Sequence, residues 1–219
     1  MSPLHLPPAR YDGTPHTYLL PAYTRVTRIH SARYAVTSFN PRPAKNRYRG
    51  GRFDATPDDP YSFLYAALDD AVAVSEALLR DVPFDERGTR LLPRAALTDK
   101  RIGWLRTIVD LELTDLRSGK ALAAIGADSR LITAIDYEVT RRWSAAIRAW
   151  VPHSAGLIWR SYREPAGYAM ILFGDRCPSG ALAEVNDALP VPAGNRQLDA
   201  GPGHLYVREI LARYRTTLG

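Results

Sequence analysis

Apolar and polar positions alternate along the chain in short runs that predict strands and a few helices around one long polar loop. Residues 63–68, FLYAAL, form a continuous apolar run of the length of a buried strand. Asp69 and Asp70 follow, and a short carboxylate there can accept from the free N–H groups that open a helix. The helix predicted from about residue 71 to 80 puts Val72, Ser75 and Leu79 on one face, with Ala71 and Leu78 beside them. Glu76 sits on the flank of that face, where a carboxylate can lie along the core boundary.

Residues 23–30, YTRVTRIH, alternate as a strand, with Arg25, Thr27 and Ile29 on one side and Val26 on the other. Arg28 shares the side of Val26, so its charge needs an anion or a carboxylate partner. Further strands are predicted over 89–92, 102–108, 111–116, 156–159 and 168–173; the last, YAMILF, suits a central position. Residues 121–125 read as a short helix ended by Gly126. The clearest helix covers 133–150, where Ile132, Ile135, Val139, Trp143, Ala146, Ile147 and Trp150 recur at helical spacing. Arg141, Arg142 and Arg148 are expected mostly to face outward, and Pro152 stops the helix. A short element near 181–186 and a terminal helix over 205–218 complete the pattern.

Composition turns this pattern into one domain with two trimmings. The chain has 219 residues, 46% hydrophobic and 24% charged, as in an ordinary globular protein. Residues 1–22, with five prolines, are expected as an arm over the surface. Residues 23–190 form the main domain. Residues 191–219 form a linker, with three glycines and two prolines in its first thirteen positions, and then a helix. No run approaches the ~20 apolar residues of a membrane span, and no secretory signal opens the chain. The single Cys177 excludes an internal disulfide framework and fits a reducing, cytoplasmic setting.

Net charge is +6 and the pI is near 9.6, a balance that favours phosphate-bearing partners. The charge gathers in the polar loop over 31–60, where Arg42, Lys45, Arg47, Arg49 and Arg52 interleave with Tyr48 and precede Phe53. Gly50-Gly51 there allows a tight turn or a close backbone approach. Three readings stay open: a solvated basic loop, a phosphate-binding loop for a small nucleotide, and a patch for single-stranded nucleic acid. Other chemistries lack their motifs. There is no GxSxG elbow, GxxxxGK[ST] loop or GxGxxG turn, the five histidines are scattered without ligand spacing, and Cys177 has no nearby base.

Four pieces in order resemble the RES-domain family: RVTRIH at 25–30, RGGRFD at 49–54, FLYAALDDAVAVSEALLR at 63–80 and GLIWRSYREPAGYAMILFGDR at 156–176. No piece is specific alone; their order is. The resemblance implies an α/β domain similar to the ADP-ribosyltransferase fold, a small twisted, partly closed sheet with helices around it. It implies NAD as substrate and no metal. Relatives are toxins of bacterial toxin–antitoxin pairs that destroy NAD by hydrolysis or phosphorolysis, or ADP-ribosyltransferases, held by a helix-turn-helix antitoxin of the Xre type.

The matched positions are Glu76, Arg28, Arg52, Tyr65 and Ser161, with Tyr34 as a further candidate. Either Arg28 or Arg52 corresponds to the family's name-giving arginine. Glu76 would face the charge growing on the ribose, Arg28 and Arg52 would hold the diphosphate or an incoming phosphate, and Tyr65 would stack on a ring. Ser161 would bond to the nicotinamide amide or to a phosphate oxygen. Compared with the compact toxins, the arm and a stretch of about 85 residues between Glu76 and Ser161 are expected as additions. The rival readings are a nucleic-acid-binding or RNA-cleaving protein using the 42–52 loop, a transferase acting on a protein, and a non-enzymatic binding protein.

Overall fold

The apolar runs become strands in the computed structural model, which describes residues 4–44, 50–186 and 190–219. The strands are β1 Thr17–Leu20, β2 Arg25–Ser31, β3 Phe63–Ala67, β4 Arg90–Leu92, β5 Lys100–Thr107, β6 Leu111–Leu116, β7 Gly156–Arg160, β8 Tyr168–Phe173, β9 Leu182–Glu184 and β10 Thr216–Leu218. The helices are α1 Asp70–Leu78, α2 Gly119–Ala124, α3 Arg130–Thr133, α4 Tyr137–Trp150 and α5 Gly201–Arg213. Eight strands form one curled sheet in the order β1-β6-β7-β8-β3-β2-β5-β9, and β10 pairs with β4 outside it. Only the β6–β7 contact within the large sheet is parallel. The fold is therefore mixed α/β with helices around a curled sheet, as expected. No described helix is long and apolar enough to cross a membrane.

The seam between β2 and β3 decides where a site can form. These strands share a single register pair, Thr27 with Ala67. Away from that pair the seam opens into a cleft. On the other side of β2 the pairing with β5 is complete over seven residues. Asp69 caps α1 by accepting from the Val72 N–H at 2.8 Å. Val72 and Ala73 of α1 pack into one core cluster with Trp143 and Trp159, whereas Val74, Leu78 and Leu79 pack into another with Trp104 and Leu211. Burial on both flanks fixes the rotation of the helix and leaves Glu76, Ala77 and Arg80 along the cleft.

Asp70, in the first turn of α1, gathers three donors. Its Oδ1 accepts from Thr27 Oγ1 at 2.6 Å and from Trp104 Nε1 at 2.8 Å, and its Oδ2 accepts from the Tyr206 hydroxyl. These bonds tie α1 to β2, β5 and α5. At the far end of α5 the Tyr214 hydroxyl donates to Glu164, in the loop that follows β7.

Several expectations need correction. The arm contributes β1, which pairs antiparallel with β6, and its His5 carbonyl accepts from Trp143 Nε1 at 2.8 Å. The linker is packed: Val191, Arg196 and Leu198 are buried, and Pro202 opens α5 from a first-turn position, where its missing N–H costs nothing. The terminal helix ends at Arg213, and β10 follows. The helix over 133–150 begins only at Tyr137, because the Asp136 side chain caps it by accepting from Glu138 N. Ile135, expected in the core, is therefore 93% exposed. Arg141 and Arg148, expected outside, are buried. Arg148 lies between the Tyr61 and Phe173 rings, 3.8 and 4.5 Å from their centroids, and pairs with Asp59 and Asp175.

Candidate active site

A cleft of about 340 Å³ opens at the β2–β3 seam. Arg28 comes from β2, Tyr65 from β3, Glu76 and Arg80 from α1 and its end, Arg52 and Asp54 from the polar loop, and Tyr137 from the start of α4. Glu76 is anchored from behind. The Ser161 hydroxyl donates to Glu76 Oε1 at 2.6 Å and accepts from the N–H groups of Arg163 and Glu164 at 3.1 and 3.0 Å. Ser161 is only 1% exposed and stands outside the cleft wall. Its one proton is given to Glu76, so in this geometry it orients the carboxylate. Ser161→Ala strips two part-buried N–H groups and Glu76 of their partner. Urea unfolding should show a loss of about 1–3 kcal/mol; an unchanged midpoint would mean water replaces the hydroxyl at no cost.

The two arginines differ. Arg28 donates from Nη1 to the carbonyls of Val36 and Ser38 at 2.7 and 3.0 Å, while its buried Nε has no partner. Burial pushes its pKa down to about 10. Of the anion or carboxylate expected beside it, the described residues supply neither; two carbonyls accept its hydrogen bonds without cancelling the charge. Arg52 donates to the carbonyls of Leu131 and Ala134 and lies 5.1 Å from the Tyr137 ring centroid. Burial lowers its pKa against the opposing pull of Tyr137 and then Glu76. Arg80 lies 5.3 Å from the same ring, so Tyr137 is flanked by two cations.

Tyr65 is a scaffold as much as a wall. Its hydroxyl accepts from Phe53 N and donates to Asp54 Oδ1, both at 2.9 Å. Asp54 also accepts from Gly51 N at 2.7 Å. Burial holds the Asp54 carboxyl above the usual carboxylate range, although both of these bonds favour its charge. A Cβ on Gly51 would lie 2.5 Å from the Tyr65 hydroxyl, and Gly50 has φ +91°, so both glycines are demanded by this approach. Tyr34 is 55% exposed and lies outside this cleft, in the neighbouring chambers. Lys45, Arg47 and Arg49 lie outside the described residues. Burial pushes the Cys177 thiol up to about 12, which removes it as a nucleophile near neutral pH.

The RES domain sequence model matches residues 25–197. This chain belongs to the RES domain family. The matched region holds β2, the cleft and Ser161, and it stops before α5. The crystal structure of the M. tuberculosis MbcT-MbcA toxin-antitoxin complex contains a chain with the same fold, at TM-score 0.57 and 19% identity, covering 89% of this RES chain and 92% of that one. Coverage that high leaves too little for the stretch between Glu76 and Ser161 to be an addition to the fold. No curated protein matched the sequence.

The resemblance supplied Glu76, Arg28, Arg52 and Tyr65, which line the cleft, and Ser161, which stands behind Glu76. It missed Asp54, Arg80, Tyr137 and Trp159, which line the same cleft. Two of these carried a signal. Asp54 closes the RGGRFD piece, and Arg80 follows Glu76 by one helical turn.

Proposed function

We propose that this RES protein cleaves the bond between nicotinamide and ribose in NAD. The carrying observation is the pairing of a Glu76 carboxylate, fixed at 2.6 Å by a buried serine, with two part-buried guanidiniums in one cleft whose hydrogen bonds go to backbone carbonyls. Oxidised nicotinamide departs with the bonding electron pair and leaves positive charge on the ribose. A carboxylate already oriented beside that carbon lowers the barrier, since it meets charge that exists only near the transition state. Arg28 and Arg52 hold the diphosphate. Their carbonyl partners accept hydrogen bonds without cancelling the charge, so each guanidinium still attracts an anion.

The acceptor for the ribosyl carbon is water, which loses a proton to give ADP-ribose, or inorganic phosphate, which gives its 1-phosphate ester. Transfer to a protein side chain attacks the same carbon and is the alternative outcome. The RES family and the neighbour's description as a toxin-antitoxin complex support a further part of the reading: the protein acts as the toxin of such a pair, countered by an antitoxin of the Xre type.

Purified protein incubated with NAD, with and without phosphate, should release free nicotinamide, with mass spectrometry identifying the ribosyl product. A protein that leaves NAD intact under both conditions and binds single-stranded RNA with steep salt dependence would replace this reading with the nucleic-acid one.

A further inference from the structure

Three cavities share walls at the cleft end of the molecule. The cleft of about 340 Å³ suits one half of a dinucleotide. A second chamber of about 570 Å³ shares Arg28, Ile29, Phe63 and Tyr65 with it and adds Tyr34 and Arg42. A third, about 720 Å³, shares Ile29, Ala77 and Arg80 with the cleft and Tyr34 and Arg42 with the second chamber, and forms the rim with Arg33, Asp99 and Lys100. A ligand whose reacting end lies at Glu76 thus continues past Arg28 toward this rim.

The rim is charged beyond what the described residues balance. Its lining carries four Lys or Arg side chains, Arg33, Arg42, Arg80 and Lys100, and one carboxylate, Asp99. Asp99 is engaged by Arg33 at 3.2 Å. Arg80 pairs with Asp81 on its outer side. Among the described residues no ion pair engages Arg42 or Lys100. His30, on the same wall, adds hydrogen bonding without charge, because burial and then Arg28 push its pKa down to about 4.

We propose that Arg42 and Lys100, with Arg80, form a subsite for a phosphate monoester on the adenosine ribose, so that the cleft takes NADP at least as well as NAD. This rests on the reading of the cleft as a nicotinamide-dinucleotide site. The diphosphate is common to both dinucleotides and is met inside by Arg28 and Arg52. The adenosine ribose of NAD is neutral and gives the outer cations nothing to balance. A monoester there carries nearly two charges at neutral pH, and arginine is a usual partner for the 2′-phosphate of such dinucleotides. The cations face a shared chamber leading to Glu76, which fits one terminal phosphate better than a polynucleotide track.

Two measurements test this on the intact chain. In calorimetry, adenosine 2′,5′-bisphosphate should bind at least tenfold tighter than adenosine 5′-monophosphate, and the Arg42→Ala/Lys100→Ala variant should erase the difference. In nicotinamide release, NADP should show a kcat/KM no lower than NAD, and the double variant should lose at least tenfold on NADP and less than twofold on NAD. Cleavage of NAD but not NADP, or equal losses on both, overturns the subsite and leaves the cleavage reading standing. A bisphosphate preference that the variant erases, with neither dinucleotide cleaved, keeps the phosphate subsite and overturns the cleavage reading. A single-stranded oligonucleotide that displaces the bisphosphate at lower concentration overturns the subsite in favour of a nucleic-acid groove.

Discussion

Glu76→Gln should cut nicotinamide release by at least about a hundredfold while leaving the fold intact. The amide keeps the shape of the side chain and an oxygen that can still accept from Ser161, now 2.6 Å from Glu76 Oε1. What disappears is the negative charge. Binding of the dinucleotide should change little, since Arg28 and Arg52 hold its diphosphate, so the loss should fall on kcat rather than KM. A hundredfold corresponds to about 2.7 kcal/mol of transition-state stabilisation, a reasonable share for one carboxylate in a partly dry cleft. Near-full activity in this variant would remove Glu76 from the chemistry and leave the anchoring serine without a functional explanation.

The largest effect on stability is expected at Trp143. The side chain is fully buried, donates to the His5 carbonyl and meets the Trp150 and His5 rings edge-on, 6.1 and 5.5 Å away. Trp143→Ala should cost about 3–5 kcal/mol in equilibrium unfolding, a large fraction of the ~5–15 kcal/mol typical of a domain. It also releases the N-terminal segment from α4, so residues near His5 should become accessible to protease earlier than the rest. Trp143→Phe keeps most of the buried ring and should recover more than half of the loss. A cost below about 1 kcal/mol for the alanine variant would mean that α4 contributes little to the core.

Local pattern made much of the fold legible. The runs at 63–68, 111–116 and 168–173 became strands β3, β6 and β8 with shifts of at most one residue, because β3 and β8 are continuous apolar runs and β6 intersperses its leucines with Glu112, Thr114 and Asp115. The Asp69 cap was readable because capping is a contact across three residues. Failures came where the deciding partner lies far along the chain. Arg148 reads as a surface residue until Tyr61, Phe173, Asp59 and Asp175 surround it. Proline and glycine misled at 191–203, where they set up a first helical turn and not a flexible connection. In the cleft, Glu76 and Ser161 were found as separate candidates, but the hydrogen bond between them spans 85 positions and no local pattern encodes it. That bond lets the serine orient the glutamate.

Helix α5 reaches both members of this pair through phenol groups. Tyr206 grips the first turn of the helix that bears Glu76, and Tyr214 grips the loop that presents Ser161. Every strand of the large sheet precedes α5 along the chain, so the brace on both members of this pair is supplied by one of the last segments to be made.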